Sequence, residues 1–266
     1  MAEATRAAEV RLEKVHKSFR GGRDKVLKGI SITFPPGELT YILGSSGAGK
    51  SVLLKHVLGI LHPDSGEVWV AGKNMSSLKG RELAEHRKHF GMLFQNSALF
   101  DDMTVYENVA FPLREHTRMS EEEISAAVKK SLEHLGLGGG AGGTMKDGYD
   151  KFPSELSGGM RKRVALARAI IREPSILLYD EPTTGLDPVT RTTVDDLIAA
   201  LKSSLRLTSI VISHDIPSAL LLADRIAFLH EGEIVFWGTP AEFRKASHPA
   251  IRGFLDAERR TVTALS

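Results

Sequence analysis

The sequence contains no cysteine, which excludes a disulfide framework, a thiolate metal site and a cysteine nucleophile. Long apolar runs are missing as well. Ile176 to Tyr179, Ser209 to Ser213 and Ala219 to Ala223 fall far short of the roughly 18 to 20 residues that cross a bilayer as a helix, so any membrane role has to be borrowed from a partner. Nor is there an excess of one charge: 35 Lys and Arg stand against 33 Asp and Glu, without the basic stripe of a dedicated nucleic-acid binder. Met1 to Glu9 carries Glu3 and Arg6 among small residues and lacks the apolar stretch of a secretory signal, so export is not expected. No repeat of fixed period is visible.

What is present is a chain of 266 residues with 42% hydrophobic side chains, enough to bury one large core with a sub-domain. Val10 to Val15 and Ile30 to Phe34 alternate apolar and polar residues, as strands of an N-terminal antiparallel layer do. Leu39 to Leu43 predicts a buried strand that leads through a glycine-rich turn into a helix carrying Val52, Leu53, Val57 and Leu58. Glu67 to Val70 and Phe90 to Phe94 predict further strands, and Ile124, Val128, Leu132 and Leu135 place helices in 101–137. Gly138 to Gly143 reads as a loop. Beyond it, a helix over 157–172, a strand over 176–179, a helix over 191–205, a strand over 209–213 and a helix over 217–222 alternate as in a parallel, doubly wound α/β core.

Gly44-Ser45-Ser46-Gly47-Ala48-Gly49-Lys50-Ser51 fits G-x-x-x-x-G-K-[ST] between a predicted strand and a predicted helix. Backbone N–H groups of such a turn surround phosphates at a helix N-terminus, Lys50 would neutralise the β and γ oxygens, and the Ser51 hydroxyl would ligate Mg²⁺. The strand at Ile176 to Tyr179 ends on Asp180-Glu181, at the carboxyl end where open α/β sheets bind ligands. Asp180 would hold Mg²⁺ through its water shell and Glu181 would take a proton from the water attacking the γ-phosphate. Without the phosphate loop upstream, the same pair would equally suit a turn or a helix cap.

Leu156-Ser157-Gly158-Gly159-Met160 resembles the signature Leu-Ser-Gly-Gly-Gln of ABC ATPases in four of five places. Gln95 after one strand, Gly185-Leu186-Asp187 after Glu181 and Ser213-His214-Asp215 after the next strand fall in the same order and spacing. The resemblance runs from about residue 10 to residue 240 and implies a P-loop ATPase of the ABC type: a nucleotide-binding domain over 1–240, a helical sub-domain over about 101–172 and a helical tail over 241–266. It implies that Gln95 senses Mg²⁺ and a permease, that Asp187 lies at a dimer seam, and that His214 contacts the γ-phosphate. Ser157, Gly158 and Gly159 open a helix and so offer a second anion site; in ABC ATPases that site closes over the nucleotide held by the opposite subunit of a dimer. Met160 replaces the usual Gln and puts only that side chain's contacts in doubt. Phe19 falls where the family stacks an aromatic on adenine, the plain alternative being a hairpin or core aromatic.

Unrelated P-loop kinases and GTPases lack the signature, and ABC proteins of chromosome maintenance carry long coiled coils. Only about sixty residues separate Gln95 from Ser157, too few for such an arm. The segments 91–117 and 153–163 resemble the Mla and Mce lipid-transport ATPases, the runner-up being the ATPase of a small-solute importer or a drug exporter. That likeness implies ATP and Mg²⁺ as cofactors, a homodimer, an integral-membrane permease, an Mce-type substrate-binding protein, no nucleic acid, and a peripheral place on the cytoplasmic face of the inner membrane. Leu99, Phe100, Val105, Val109 and Phe111 would then line a groove for a permease helix, the plain alternative for each being sub-domain core. Arg161, Lys162, Arg163, Arg168 and Arg172 read as a solvated basic face of the signature helix in preference to a nucleic-acid patch, and Pro249, Ile251, Phe254 and Leu255 as an amphipathic helix that docks on protein.

Overall fold

A computed structural model describes residues 7–138 and 149–263; Met1 to Arg6 and most of the Gly138 to Gly143 loop lie outside the described residues. Along the chain run β1 (Val10–Phe19), β2 (Asp24–Phe34), β3 (Leu39–Leu43), α1 (Lys50–Val57), β4 (Ser65–Val70), β5 (Lys73–Asn74), α2 (Gly80–His86) and β6 (Phe90–Leu93). There follow α3 (Val105–His116), α4 (Glu121–His134), α5 (Gly158–Ile170), β7 (Ile176–Asp180), α6 (Pro188–Leu205), β8 (Thr208–Ile212) and α7 (Ile216–Leu222). The chain closes with β9 (Arg225–His230), β10 (Glu233–Gly238), α8 (Pro240–Lys245) and α9 (Pro249–Thr263). Two compact units emerge: 1–87 with 206–266, and 88–205.

In the first unit, β1 pairs antiparallel with β2 from Val10 opposite Phe34 to Phe19 opposite Asp24, and antiparallel with β4 on its other edge. This is the N-terminal layer expected from the alternation: Val10, Leu12 and Val15 are buried and Glu13 is not. A second sheet centres on β3, which pairs in parallel with β8 and β9, with β10 antiparallel on β9. Every residue of β3 and β8 is buried, the pattern of strands covered on both faces. The β9–β10 hairpin was not predicted. Its turn, Glu231-Gly232, holds both residues at positive φ, 46° and 83°, as a two-residue hairpin turn requires. The C-terminal apolar stripe docks on protein as expected: Ile251 and Leu255 are buried, and the Phe254 ring lies 5.3 Å from that of Phe228 on β9.

In the second unit, β6 and β7 run parallel, Phe90 opposite Ile176 through Leu93 opposite Tyr179. Helices α3, α4 and α5 pack on one another, and their buried residues include Val105, Val109, Ile124, Val128, Leu132, Val164 and Leu166. The predicted helical region is cut in two by helix starts: Thr104 with Glu107 and Ser120 with Glu123 each form a capping box, satisfying the first N–H groups of α3 and α4. Arg114 on α3 clasps Glu121 on α4 through two hydrogen bonds of 3.0 and 2.7 Å. Two of the five proposed groove residues need correcting here. Val105 and Val109 are fully buried, because their spacing of four puts both on the inward face of α3; Phe100 stays outside with its ring 5.0 Å from that of Phe111.

Candidate active site

The phosphate loop begins where β3 delivers a fully buried chain to Gly44. Gly44 has φ 156°, and a Cβ there would sit 2.2 Å from the Leu229 carbonyl oxygen, so only glycine fits. At the other end, Gly49 (φ 107°) is the N-cap of α1 and caps it with no side chain; a Cβ there would meet Leu27 at 3.0 Å. The first turn of α1 therefore presents its N–H groups without a side-chain acceptor from the cap, which suits an anion. The Lys50 side chain is buried and folds over the loop, its Nζ donating to the Gly44 carbonyl at 2.6 Å and the Ser45 carbonyl at 3.1 Å. Ser45, Ser46, Gly47 and Ser51 are exposed, while Ala48 is buried.

Two further predicted residues belong to this unit. Phe19 closes β1 and is 38% exposed, so the core alternative is removed; the Lys17 ammonium lies 5.8 Å from its ring centroid. Lys17 is itself bonded to Asp64 at 2.7 Å, and that bond, with two from Ser18, holds the Asp64 carboxyl far below the usual carboxylate range. His214 is exposed just past β8, between residues that shape its turn. The Asp215 N–H donates to Ser213 Oγ at 2.9 Å, and the Asp215 carboxylate accepts from the Ser218 N–H at 3.1 Å to cap α7. Ser-His-Asp here is a turn and a cap that present His214.

In the second unit, Asp180 ends β7 half-buried and Glu181 follows at φ 48°. A left-handed glutamate is a sparsely populated state, the kind of strain that collects at functional sites. Thr184 Oγ1 donates to Glu181 Oε2 at 2.9 Å and fixes the carboxylate. Asp187 caps α6, accepting from the Val189 and Thr190 N–H groups at 3.0 Å each and from the Thr190 hydroxyl. The Thr190 bonds hold its carboxyl below the ordinary value. Ser157 caps α5, its Oγ accepting from the Met160 N–H at 3.3 Å. A Cβ at Gly158 would meet nothing within 4 Å, so packing inside the chain does not demand glycine there.

Gln95 lies exposed beyond β6. The expectation of a solvated basic face on α5 holds for the exposed Arg161 but fails at Lys162, beside Gln95. Lys162 is 4% exposed and donates to the carbonyls of Phe94 and Gln95; Arg168 donates to those of Ser97 and Ala98; Arg163 donates to Leu135 and Arg161 to Leu156. These cations donate to main-chain carbonyls that lie outside helix and strand ladders and need a partner. The signal was in the sequence: Lys162, Ala165, Leu166 and Ala169 share one helix face by their spacing of three, four and seven.

The donors proposed for Mg²⁺ are a hydroxyl on Ser51, a carboxylate on Asp180 and an amide oxygen on Gln95, all hard oxygen ligands of the type this ion takes. Among the described residues no cluster of three or more His, Cys, Asp or Glu could hold a metal by itself. A sparse oxygen set fits Mg²⁺ that is bound largely through nucleotide phosphates and water.

Residues 27–184, more than half of the chain, match the sequence pattern of the ABC transporter family. The chain belongs to the ABC transporter family. Its cassette binds ATP with Mg²⁺ and hydrolyses ATP. It is 42% identical over 239 residues to the intermembrane phospholipid transport system ATP-binding protein MlaF of Escherichia coli K12, covering 90% of this chain and 86% of that protein. It is 40% identical over 243 residues to the probable ribonucleotide transport ATP-binding protein mkl of Mycobacterium tuberculosis H37Rv, covering 91% of this chain but 65% of the length of that relative. Among solved structures, cbiO1 from Clostridium perfringens, part of the ABC transporter complex cbiONQ, has a TM-score of 0.78 at 31% identity, covering 94% of this chain and 98% of that one. The ATP-binding cassette MJ0796, in a dimeric post-hydrolysis state bound to ADP and Pi, has a TM-score of 0.75 at 32% identity, covering 87% and 98%. These likenesses bear out the α/β fold with parallel core strands. Among the described residues no helix is long and apolar enough to cross a membrane.

Proposed function

We propose that this ABC cassette is the motor subunit of a transporter that moves phospholipid between bacterial membranes, working as a homodimer beneath a separate permease with an Mce-type substrate-binding protein. The observation that carries the proposal is the 42% identity to the phospholipid transport ATPase across nine-tenths of this chain, on a cassette of nearly the same length. The chain would sit peripherally on the cytoplasmic face of the membrane, since attachment falls to the permease. Transport of ribonucleotides is the second reading, favoured by the name of the mycobacterial relative, of which this chain spans a smaller share.

In the cassette, the N–H groups of Ser45 to Ser51 receive the phosphates, and Lys50 neutralises them. An ammonium already held over the loop needs little reorganisation when a phosphate arrives, which is the basis of electrostatic preorganisation. Glu181, fixed by Thr184, takes the proton of the attacking water, and His214 contacts the γ-phosphate. Ser51, Asp180 and Gln95 would hold Mg²⁺, which when bound supplies charge neutralisation at the phosphoryl oxygens. Phe19 stacks on adenine. Ser157, Gly158 and Gly159 serve the nucleotide of the second chain, with Asp187 at the seam between chains; the open space at Gly158 supports an approach from outside.

The test is recovery of the tagged chain from membranes, with identification of the permease and of bound lipid. Phospholipid together with a permease of the lipid-transport type is the expected result. Recovery of a nucleotide, sugar or amino-acid permease would overturn the cargo while leaving the ATPase intact.

A further inference from the structure

Lys162 is a cation in the wrong place for a cation. It is 4% exposed, and among the described residues no carboxylate pairs with it and its Nζ donates to two acceptors, the main-chain oxygens of Phe94 and Gln95. Burying an ammonium without a counter-ion is costly, whereas an unbranched apolar side chain would fill similar space without that cost. The contact therefore serves something other than packing. What it grips is a strained segment. Ser97 and Ala98, two and three residues beyond Gln95, are consecutive non-glycine residues in the left-handed region, at φ 62° and 47°. Their carbonyls accept from Arg168 Nη2 at 3.1 and 2.8 Å, and Arg168 lies on α5 as Lys162 does. One helix thus holds the Gln95 segment at both ends, and it is the helix that Ser157 to Gly159 open.

We propose that Lys162 is a positioning residue that couples the signature helix to the Gln95 loop, so that a displacement of α5 carries Gln95 with it and the reverse. With its ammonium engaged by the Phe94 and Gln95 carbonyls, Lys162 acts through Gln95, and the inference rests on the reading of Gln95 as a residue of the nucleotide site. The phosphate loop stands in the other compact unit, so nucleotide capture should be separable from this coupling.

The test is a double-mutant cycle on the purified full-length chain, reading MgATP hydrolysis and ATP affinity for Lys162→Met, Lys162→Arg, Gln95→Ala and the Gln95→Ala/Lys162→Met pair. Misplacing a catalytic loop by about 1 Å can cost up to about a hundredfold; we expect Lys162→Met to lower kcat about tenfold with ATP affinity within about twofold. Lys162→Arg should recover most of the loss, because guanidinium reaches the same carbonyls. In the Gln95→Ala background, Lys162→Met should cost nothing further, the non-additivity of residues acting as one unit. Additive losses, a wild-type kcat in Lys162→Met, or an Arg variant as impaired as the Met variant would each overturn the coupling. Full activity in Gln95→Ala would instead overturn the reading of Gln95 and the coupling with it. Should Lys162→Met fail to fold, Lys162→Gln takes its place in the cycle and is read by the same outcomes.

Discussion

The phosphate loop and the signature are both glycine-rich turns that open helices, yet the chain determines them to different degrees. At Gly44 and Gly49 the backbone is left-handed or nearly so, and an added Cβ would strike Leu229 or Leu27; the loop's shape is enforced from within. At Gly158 there is open space, the backbone is helical and Ser157 supplies an ordinary cap, so nothing inside the chain explains the glycine. This difference agrees with the proposal that the first turn serves its own chain's nucleotide and the second a partner's. The chemistry differs too: Lys50 is held over the first turn, while Lys162 and Arg168 on the helix of the second donate to carbonyls of the segment from Phe94 to Ala98.

The sharpest test of the first turn is removal of its charge. Lys50→Ala should lose ATP binding and hydrolysis together, whereas Glu181→Gln should keep ATP and lose about a thousandfold in turnover, within the range of a missing general base. Nucleotide titration beside steady-state hydrolysis distinguishes them, and equal loss of affinity in both would contradict the roles. Next in size is Gly44→Ala. A Cβ 2.2 Å from a backbone oxygen in a φ 156° conformation should destabilise the first unit by about 3 kcal/mol or more, read as a drop in thermal midpoint.

The second turn should behave in the opposite way. Gly158→Ala should leave the thermal midpoint unchanged or higher, alanine being favoured over glycine in a helix by about 0.5 to 1 kcal/mol. Hydrolysis by the assembled dimer should nonetheless fall about tenfold or more, as when an oxyanion donor is displaced. Wild-type hydrolysis in Gly158→Ala would erase the contrast between the turns. Mixing Lys50→Ala chains with Ser157→Arg chains sharpens it, since each mixed dimer should regain one intact site and part of the activity neither variant has alone. Dimers shown to form yet remaining inactive would count against a site shared between chains.

The smallest effect concerns pH. Burial pushes the Lys162 ammonium down to about 8, below the usual lysine value, so from about pH 8 to about 10.5 the unfolded chain binds the extra proton. Stability from this group should rise through that window. Lys162→Arg stays charged throughout, so the thermal midpoint of wild type minus that of the variant should increase between pH 8 and 10.5, measured by calorimetry in matched buffers.

Local patterns were enough to find elements whose signals are local. Alternation marked β1 and β2, and unbroken apolar runs marked β3, β7 and β8; the capping boxes Thr104 with Glu107 and Ser120 with Glu123, each satisfied within four residues, were as local but went unread. The phosphate loop, Asp180-Glu181 and the signature were legible for the same reason: each is a short motif whose chemistry depends on spacing. The β9–β10 hairpin carried a readable Glu231-Gly232 turn between apolar runs and was passed over, since those runs suit a buried helix as well as a strand.

What only the tertiary structure decided is where charge and apolar surface went. Val105 and Val109 turned out to be core, Phe100 did not, and Lys162 went inward to the Gln95 backbone. Composition ranks lysine among the exposed and valine among the buried, but neither rule tells which neighbour covers a given face. A buried ammonium is tolerable only where carbonyl oxygens from a distant segment meet it, and that meeting of residues 67 apart exists only in the folded chain. Spacing along the chain decided the chemistry of each motif; packing across it decided which segments are held together.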